Sequence, residues 1–378
     1  MRRPIRALPV VGPEALRRSA SRPAFPFGDT RSEYFYLGRG AVWHAAKRLG
    51  LDHGEVLVPA YHHGVEVEAL LDAGVHPRFF NVRRNFDVDL DSLASRITPH
   101  TRAIYVIHYA GFPQPMEDIL AIARSRHLAV VEDCALALFS ASGWRPLGTS
   151  GDAAIFCLYK TLPVPNGGVL WMPSTWRPPT LHHPGLATDL HQMVSTATLG
   201  LERSGIPGLN RARSILTTAA EVARSIRSLP VDHHPVGHRH FIPGQQHLSI
   251  TATSRWLARR ADAGWIVERR RTNYYALLGR LHDVAPPMVH ELGAGVCPLF
   301  YPLWCDDKRA VLESLAQQGV EAIDFWREGS RLVRPGAFPD VDALRSHVLE
   351  LPIHQDLDRE DIEAMAEAVR RALHGVRT

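Results

Sequence analysis

Cysteine is scarce in this chain of 378 residues: there are four, Cys134, Cys157, Cys297 and Cys305, and no C-x-x-C pair. That argues against a disulfide framework or a zinc knuckle and fits a reducing compartment. No apolar run approaches the ~20 residues needed to cross a bilayer. A surplus of one charge is also lacking, since 39 acidic residues stand among 43 basic ones for a net +4. So mild an imbalance does not by itself imply nucleic-acid binding. Arg2, Arg3 and Arg6 open the chain, but Pro4, Pro9 and Pro13 leave no apolar core after them, so no signal peptide is read. Together these absences fit a cytoplasmic protein that engages neither membrane nor nucleic acid.

What the chain does have is 45% apolar residues, enough to bury a sizeable core, over a length that suggests two domains or one large domain with a smaller one attached. From about residue 34, helical and strand-like patterns alternate. Helices are expected over Gly40–Leu49, Val65–Ala73 and Pro115–Arg126, and strands over Glu55–Val58, Arg78–Asn81, Ala103–His108, Leu128–Val131 and Val169–Met172. This order predicts an α/β fold with right-handed crossovers and a mostly parallel sheet. Ligands of such sheets sit beyond the carboxyl ends of the strands, where His108, Asp133 and Lys160 all fall, so convergence on one crevice is expected. Residues 1–30 read as an N-terminal arm, 31–265 as a large domain and 266–378 as a small C-terminal α/β domain with its connecting helix.

An insert is expected at about 173–247, rich in Pro, His and Arg, with helix-like stretches near 187–203 and 209–228. In the second, Ile215, Leu216, Ala219, Val222 and Ile226 recur at helical spacing, while Arg211, Arg213, Arg224 and Arg227 fall largely elsewhere. His233, His234, His238 and His240 lie in a Pro/Gly loop with only Asp232 near them, and no metal site is read there. One long polar helix, Thr253–Leu281, carries Arg269, Arg270 and Arg271 and reads as a solvated connection.

Individual residues suggest chemistry. Lys160 ends the apolar run Phe156–Tyr159 and precedes a loop through Pro163, Pro165, Asn166, Gly167 and Gly168. An amine at the edge of a core is suited to forming a Schiff base with a carbonyl cofactor, although a strand-end lysine reaching water has the same appearance. Asp133 follows a buried strand, which is costly unless a cation or a helix N-terminus meets it. Gly38-Arg39-Gly40-Ala41 is a turn opening a helix, either an anion cradle or a plain turn.

In order along the chain, several motifs carry a resemblance. Val58-Pro59-Ala60-Tyr61, Ile97-Thr98-Pro99-His100-Thr101-Arg102-Ala103-Ile104, His108 with Gly111, Val131-Glu132-Asp133-Cys134-Ala135, and Gly148, Gly151 and Asp152 precede Lys160 with Gly167-Gly168. Leu349-Glu350-Leu351-Pro352-Ile353-His354 comes near the end. This pattern resembles the DegT/StrS-type sugar aminotransferases, enzymes of the aspartate-aminotransferase fold (fold type I) that use pyridoxal 5'-phosphate.

The resemblance implies that Lys160 holds the cofactor aldehyde and Asp133 keeps the pyridine nitrogen protonated. It places the phosphate at Gly38, Arg39 and Gly40, with Cys157 where a phosphate-binding Ser is common. His63 falls where an aromatic side chain stacks on the ring, but an ordinary loop histidine is an equal reading. The implied activity moves an amino group from an amino-acid donor to a keto or aldehyde acceptor, a nucleotide-linked keto sugar or a related biosynthetic ketone, in a homodimer.

Departures accompany the match. Leu136 and Leu138 replace a Gln and a His, the span from Asp152 to Lys160 is shortened, and the N-x-R segment that reaches a neighbouring subunit would fall at Gln246-His247-Leu248, which has neither residue. Another pyridoxal-phosphate reaction, such as dehydration or elimination, and a non-catalytic binding or regulatory paralogue are the alternatives. Retention of Lys160 argues against dehydration, because the family's dehydratases resemble this chain with the lysine replaced by His.

Overall fold

The computed structural model describes residues 4–11, 23–174, 179–190, 192–194, 196 and 241–377. The helix expected at 209–228 and the histidine-rich loop lie outside the described residues. Seven strands form the main sheet: β1 (Ser32–Phe35), β2 (Glu55–Pro59), β3 (His76–Phe80), β4 (Thr101–Ile107), β5 (Ala129–Asp133), β8 (Ala153–Cys157) and β9 (Gly168–Trp171). Two short strands, β6 (Ala141–Ser142) and β7 (Arg145–Pro146), make a separate hairpin. The main sheet runs in the order β1-β9-β8-β5-β4-β2-β3. Neighbours from β8 to β3 are parallel, whereas β9 is antiparallel to β8 and β1 to β9.

Near-continuous apolar sequence in β4 and β8 is what a strand covered on both faces requires, and every residue of β8 is buried. The helices α1 (Gly38–Arg48), α2 (Val65–Asp72), α3 (Leu90–Ser95) and α4 (Met116–Ser125) supply the crossovers. Chain order reverses between β2 and β4, since β3 lies to one side of β2 and all later parallel strands to the other. Such a switch point opens a crevice at the carboxyl ends.

A second sheet holds β10 (Phe300–Trp304), β11 (Ile323–Asp324) and β12 (Val348–Pro352) in the order β10-β12-β11, all antiparallel. The helices α7 (Lys308–Gln317), α8 (Pro339–His347) and α9 (Arg359–Arg377) accompany it. Between the sheets the sequence predicted one helix; the structure has two, α5 (Ala252–Ala258) and α6 (Ala263–Leu281). Asp262 interrupts the run because its carboxylate accepts the amide of Trp265 and starts a new helix.

The solvated reading of the arginine run also fails at Arg270, which is 1% exposed. Its guanidinium donates to the carbonyls of Leu299 (2.7 Å) and Thr161 (3.2 Å) and to Gln355 Oε1 (3.0 Å), linking both sheets. Arg270→Met would take this donor from the buried Leu299 carbonyl and Gln355 Oε1 and leave Thr161 with Gln355 alone, so a loss of about 2–4 kcal/mol is expected. A lowered urea midpoint with unchanged circular dichroism in buffer would show it.

Both described ends of the expected insert are tied to the body. Gln192 receives Asn166 Nδ2 and donates to the Tyr36 hydroxyl, Asp189 accepts the amides of Ala252 and Thr253, and Phe241 donates to Glu68.

Candidate active site

The carboxyl ends of β4, β5 and β8 meet the second sheet across a cavity of about 330 Å3. Gly38, Arg39, His63, Asp133, Cys157 and Lys160 all line it. Gly40 does not; it sits behind the turn against the backbone of Gln246, with a Cβ leaving only 3.2 Å to that carbonyl oxygen.

Asp133 ends β5 with its carboxylate held at both oxygens, one accepting the Tyr105 hydroxyl (2.7 Å) and the other the amide of Ala135 (2.8 Å). No helix follows, so the cap reading is excluded. Burial pushes its pKa up, against Tyr105, Ala135 and the facing Lys160. A cation docked beside it would favour the ionised form.

The chain leaves β8 at Cys157 and turns, and the carbonyl of Thr161 is pinned by Arg270 and by Gln355 Nε2 (3.1 Å). Lys160 is thereby presented half-buried to the cavity.

His108 does not join them, contrary to the expected convergence. It is buried outside the cavity lining: its Nδ1 accepts the amide of Gln114, which leaves Nε2 to donate to Glu132 (3.1 Å). Glu132 also accepts the amides of Gly148, Ser150 and Gly151. Burial pushes Glu132 up, but His108 and these amides outweigh it and hold the carboxyl below its ordinary range. The pair braces the ends of β4 and β5, which explains why His108, Gly148 and Gly151 occur together.

At the anion-cradle turn, α1 begins at Leu37 with no side-chain cap, so its first amides are not used by one. A Cβ on Gly38 would overlap Cys157 Sγ, and one on Gly168 would come within 2.5 Å of Leu37. Two glycines thus let the turn lie flat on β8 and β9. Burial raises the Cys157 thiol, most of all by desolvation, and keeps it neutral. Gln246 and His247 pack on α1 of their own chain, where His44 Nε2 meets the Gln246 carbonyl (3.1 Å).

Sequence reasoning missed several lining residues. Glu66 accepts the amides of His63 and Gly64, fixing the loop that carries His63, and burial raises it to about 7. Its signal was the acidic residue just inside a helix that Gly64 opens. Trp326 stands edge-on to His63 at 6.3 Å. Glu350, Asp324 and Ala7–Pro9 complete the wall, the last held where Ile5 exchanges backbone hydrogen bonds with Gly319 and Glu321. Leu136 lines the cavity while Leu138 is buried in a core cluster.

Two raised carboxyls make stability pH-dependent. Burial holds Glu350 near 8 and Glu66 near 7, above their unfolded values, so the native state binds more protons in between. Stability is therefore full in mild acid and lost as pH rises through 7–8. Without cofactor, Glu350→Gln is expected to flatten this decline, gaining about 1–2 kcal/mol over the parent at pH 9. Urea midpoints from pH 6 to 9 would check it.

A parallel strand ending at Asp133 and another leading into the turn that carries Lys160, over an uncapped helix start, form the cleft of an α/β enzyme. Solved structures share the architecture: the aminotransferase TlmJ from Streptoalloteichus hindustanus superposes with a TM-score of 0.65 at 21% identity, over 92% of this chain and 87% of that one. A Streptococcus pneumoniae protein solved in its PLP-form gives 0.67 at 13% identity, over 92% and 88%.

Residues 39–175 match the model of the DegT/DnrJ/EryC1/StrS aminotransferase family, to whose members the chain is similar. Among curated relatives, the UDP-N-acetyl-3-dehydro-alpha-D-glucosamine 3-aminotransferase of Acidithiobacillus ferrooxidans is 28% identical over 89% of this chain and 83% of its own length. The dTDP-4-dehydro-2,3,6-trideoxy-D-glucose 4-aminotransferase of Saccharopolyspora spinosa is 26% identical over 89% and 83%. No described helix is long and apolar enough to cross a membrane.

Proposed function

We propose that this aminotransferase uses pyridoxal 5'-phosphate held by Lys160 and Asp133, and that its acceptor is a nucleotide-linked keto sugar. The observation that carries the reading is the meeting of Lys160, Asp133 and the Gly38–Arg39 turn in one cavity. The residues fit the cofactor: the uncapped start of α1 and Arg39 suit a phosphate, and the flat turn allows close approach.

When bound, pyridoxal phosphate supplies an electron sink for carbanion charge. Asp133, fixed by Tyr105 and Ala135, holds the proton on the ring nitrogen. Lys160 Nζ would hold the cofactor and is placed to move a proton to and from the α-carbon of an amino donor. His63 would offer its flat ring to the cofactor, Cys157 lies beside the Gly38–Arg39 turn, and Leu136 and Trp326 would limit water at the reacting atoms. The names of the two relatives support a sugar acceptor. The motif resemblance supports a homodimer, measurable by light scattering.

The direct test is borohydride reduction of the purified yellow protein, then peptide mass spectrometry. The adduct is expected on Lys160; on any other lysine, the assignment is wrong. Gly38→Ala forces a methyl against Cys157 Sγ and is expected to weaken cofactor binding at least ~10-fold, about 1.4 kcal/mol. Adding Cys157→Ala should recover part of that loss in equilibrium titrations, because it removes the atom that is struck.

A further inference from the structure

Four carboxyl groups line the cavity, those of Glu66, Asp133, Asp324 and Glu350. The protein itself satisfies three. Glu66 accepts two backbone amides, Asp133 a hydroxyl and an amide, and Asp324 is ion-paired with Lys308. The Glu350 carboxyl has no hydrogen-bond partner among the described residues.

Its position is fixed by the sheet. Glu350 lies at the middle of β12, opposite Pro302 of β10 and Ile323 of β11. Leu349 and Leu351 beside it are fully buried, so strand alternation turns Glu350 to the other face, over the cavity. An acidic residue stands out in a strand that otherwise reads Val-Leu-x-Leu-Pro, and a half-buried carboxyl that faces a cavity and has no partner among the described residues is free to take one from a ligand.

The charged groups facing it are Lys160 across the cavity and Lys308 from α7, with Asp324 on the adjoining strand. Burial outweighs both lysines and raises Glu350 to about 8. At neutral pH it is mostly a carboxylic acid, which both donates and accepts. The matching ligand group is a neutral hydroxyl, which does the same.

We propose that Glu350 hydrogen-bonds a hydroxyl of the acceptor and so determines which carbonyl of a polyhydroxylated substrate is presented to Lys160. This rests on the aminotransferase reading above and deepens it to one specificity-determining residue.

The experiment compares wild type, E350L and E350Q in separate half-reactions. Bleaching of the yellow form by an amino donor is the internal control. Return of colour is then monitored with two probes, a UDP-linked 3-keto-N-acetylhexosamine and a dTDP-linked 4-keto hexose.

For whichever probe wild type accepts, E350L is expected to raise KM about 10–100-fold while the donor half-reaction stays within about twofold. E350Q should stay within about threefold of wild type in KM, because an amide also donates and accepts. If E350L does not fold, E350A carries the same expectation. An unchanged KM in the leucine or alanine variant overturns the proposal, as does an equal loss in both half-reactions. Wild type that carries the Lys160 adduct yet reacts with neither probe refutes the sugar acceptor and this proposal with it. Absence of the adduct refutes the cofactor assignment instead.

Discussion

Lys160→Ala is expected to remove turnover by at least ~10^4-fold, because in the proposed function one nitrogen both anchors the cofactor and moves the proton. The fold should survive. Thr161 next door is held through its backbone carbonyl by Arg270 and Gln355, and nothing in that arrangement uses the lysine side chain. Asp133 and the Gly38–Arg39 turn remain to bind pyridoxal phosphate without a covalent bond, so the variant should take up cofactor that borohydride no longer fixes. Spectra of the dialysed and reduced variant measure this directly. Retained activity would mean that another amine does the chemistry.

Asp133→Asn should leave the cofactor bound and lower turnover at least ~100-fold, if the lost charge-assisted contact is worth ~3 kcal/mol. Asn can still meet the Tyr105 hydroxyl and the Ala135 amide, which accounts for a preserved fold. What it lacks is the negative charge. In the wild type, burial opposes ionisation of Asp133, so the carboxylate is stabilised by the very cation it is proposed to serve. A single-turnover donor reaction at the wild-type rate would remove Asp133 from this role.

Strands were legible wherever β-branched and aromatic residues ran unbroken, as in β4 and β5, since a doubly covered strand needs such a run. Lys160 and Asp133 were legible for a related reason, being polar residues placed where apolar runs stop. His108 shows where that logic ends. It too stands just past a strand, but the side to which its ring turns depends on Glu132 and the amides of the 148–151 loop, which no local pattern encodes.

Arg270 was hidden by the two arginines beside it. Helical phase held the missing signal: Ile266, Arg270, Asn273, Tyr274, Leu277 and Leu281 are buried together on one face of α6. Glu350 and Glu66 escaped because each sits in a short apolar element where a single acid reads as a surface position. Only the approach of the second sheet turns those positions inward.

The guanidinium of Arg345, on α8, donates to the carbonyls of Trp326 (2.6 Å), Ala60 (3.0 Å) and His62 (3.1 Å), and lies over the Tyr61 ring. Because those three acceptors are main-chain oxygens, this latch is indifferent to the side chains at 60, 62 and 326. The loop carrying His63 can therefore exchange what it presents without losing its place. On the proposed reading, a lineage could vary the group facing the cofactor, and with it the substrates admitted, by single substitutions at His63 while the frame around the chemistry stays still.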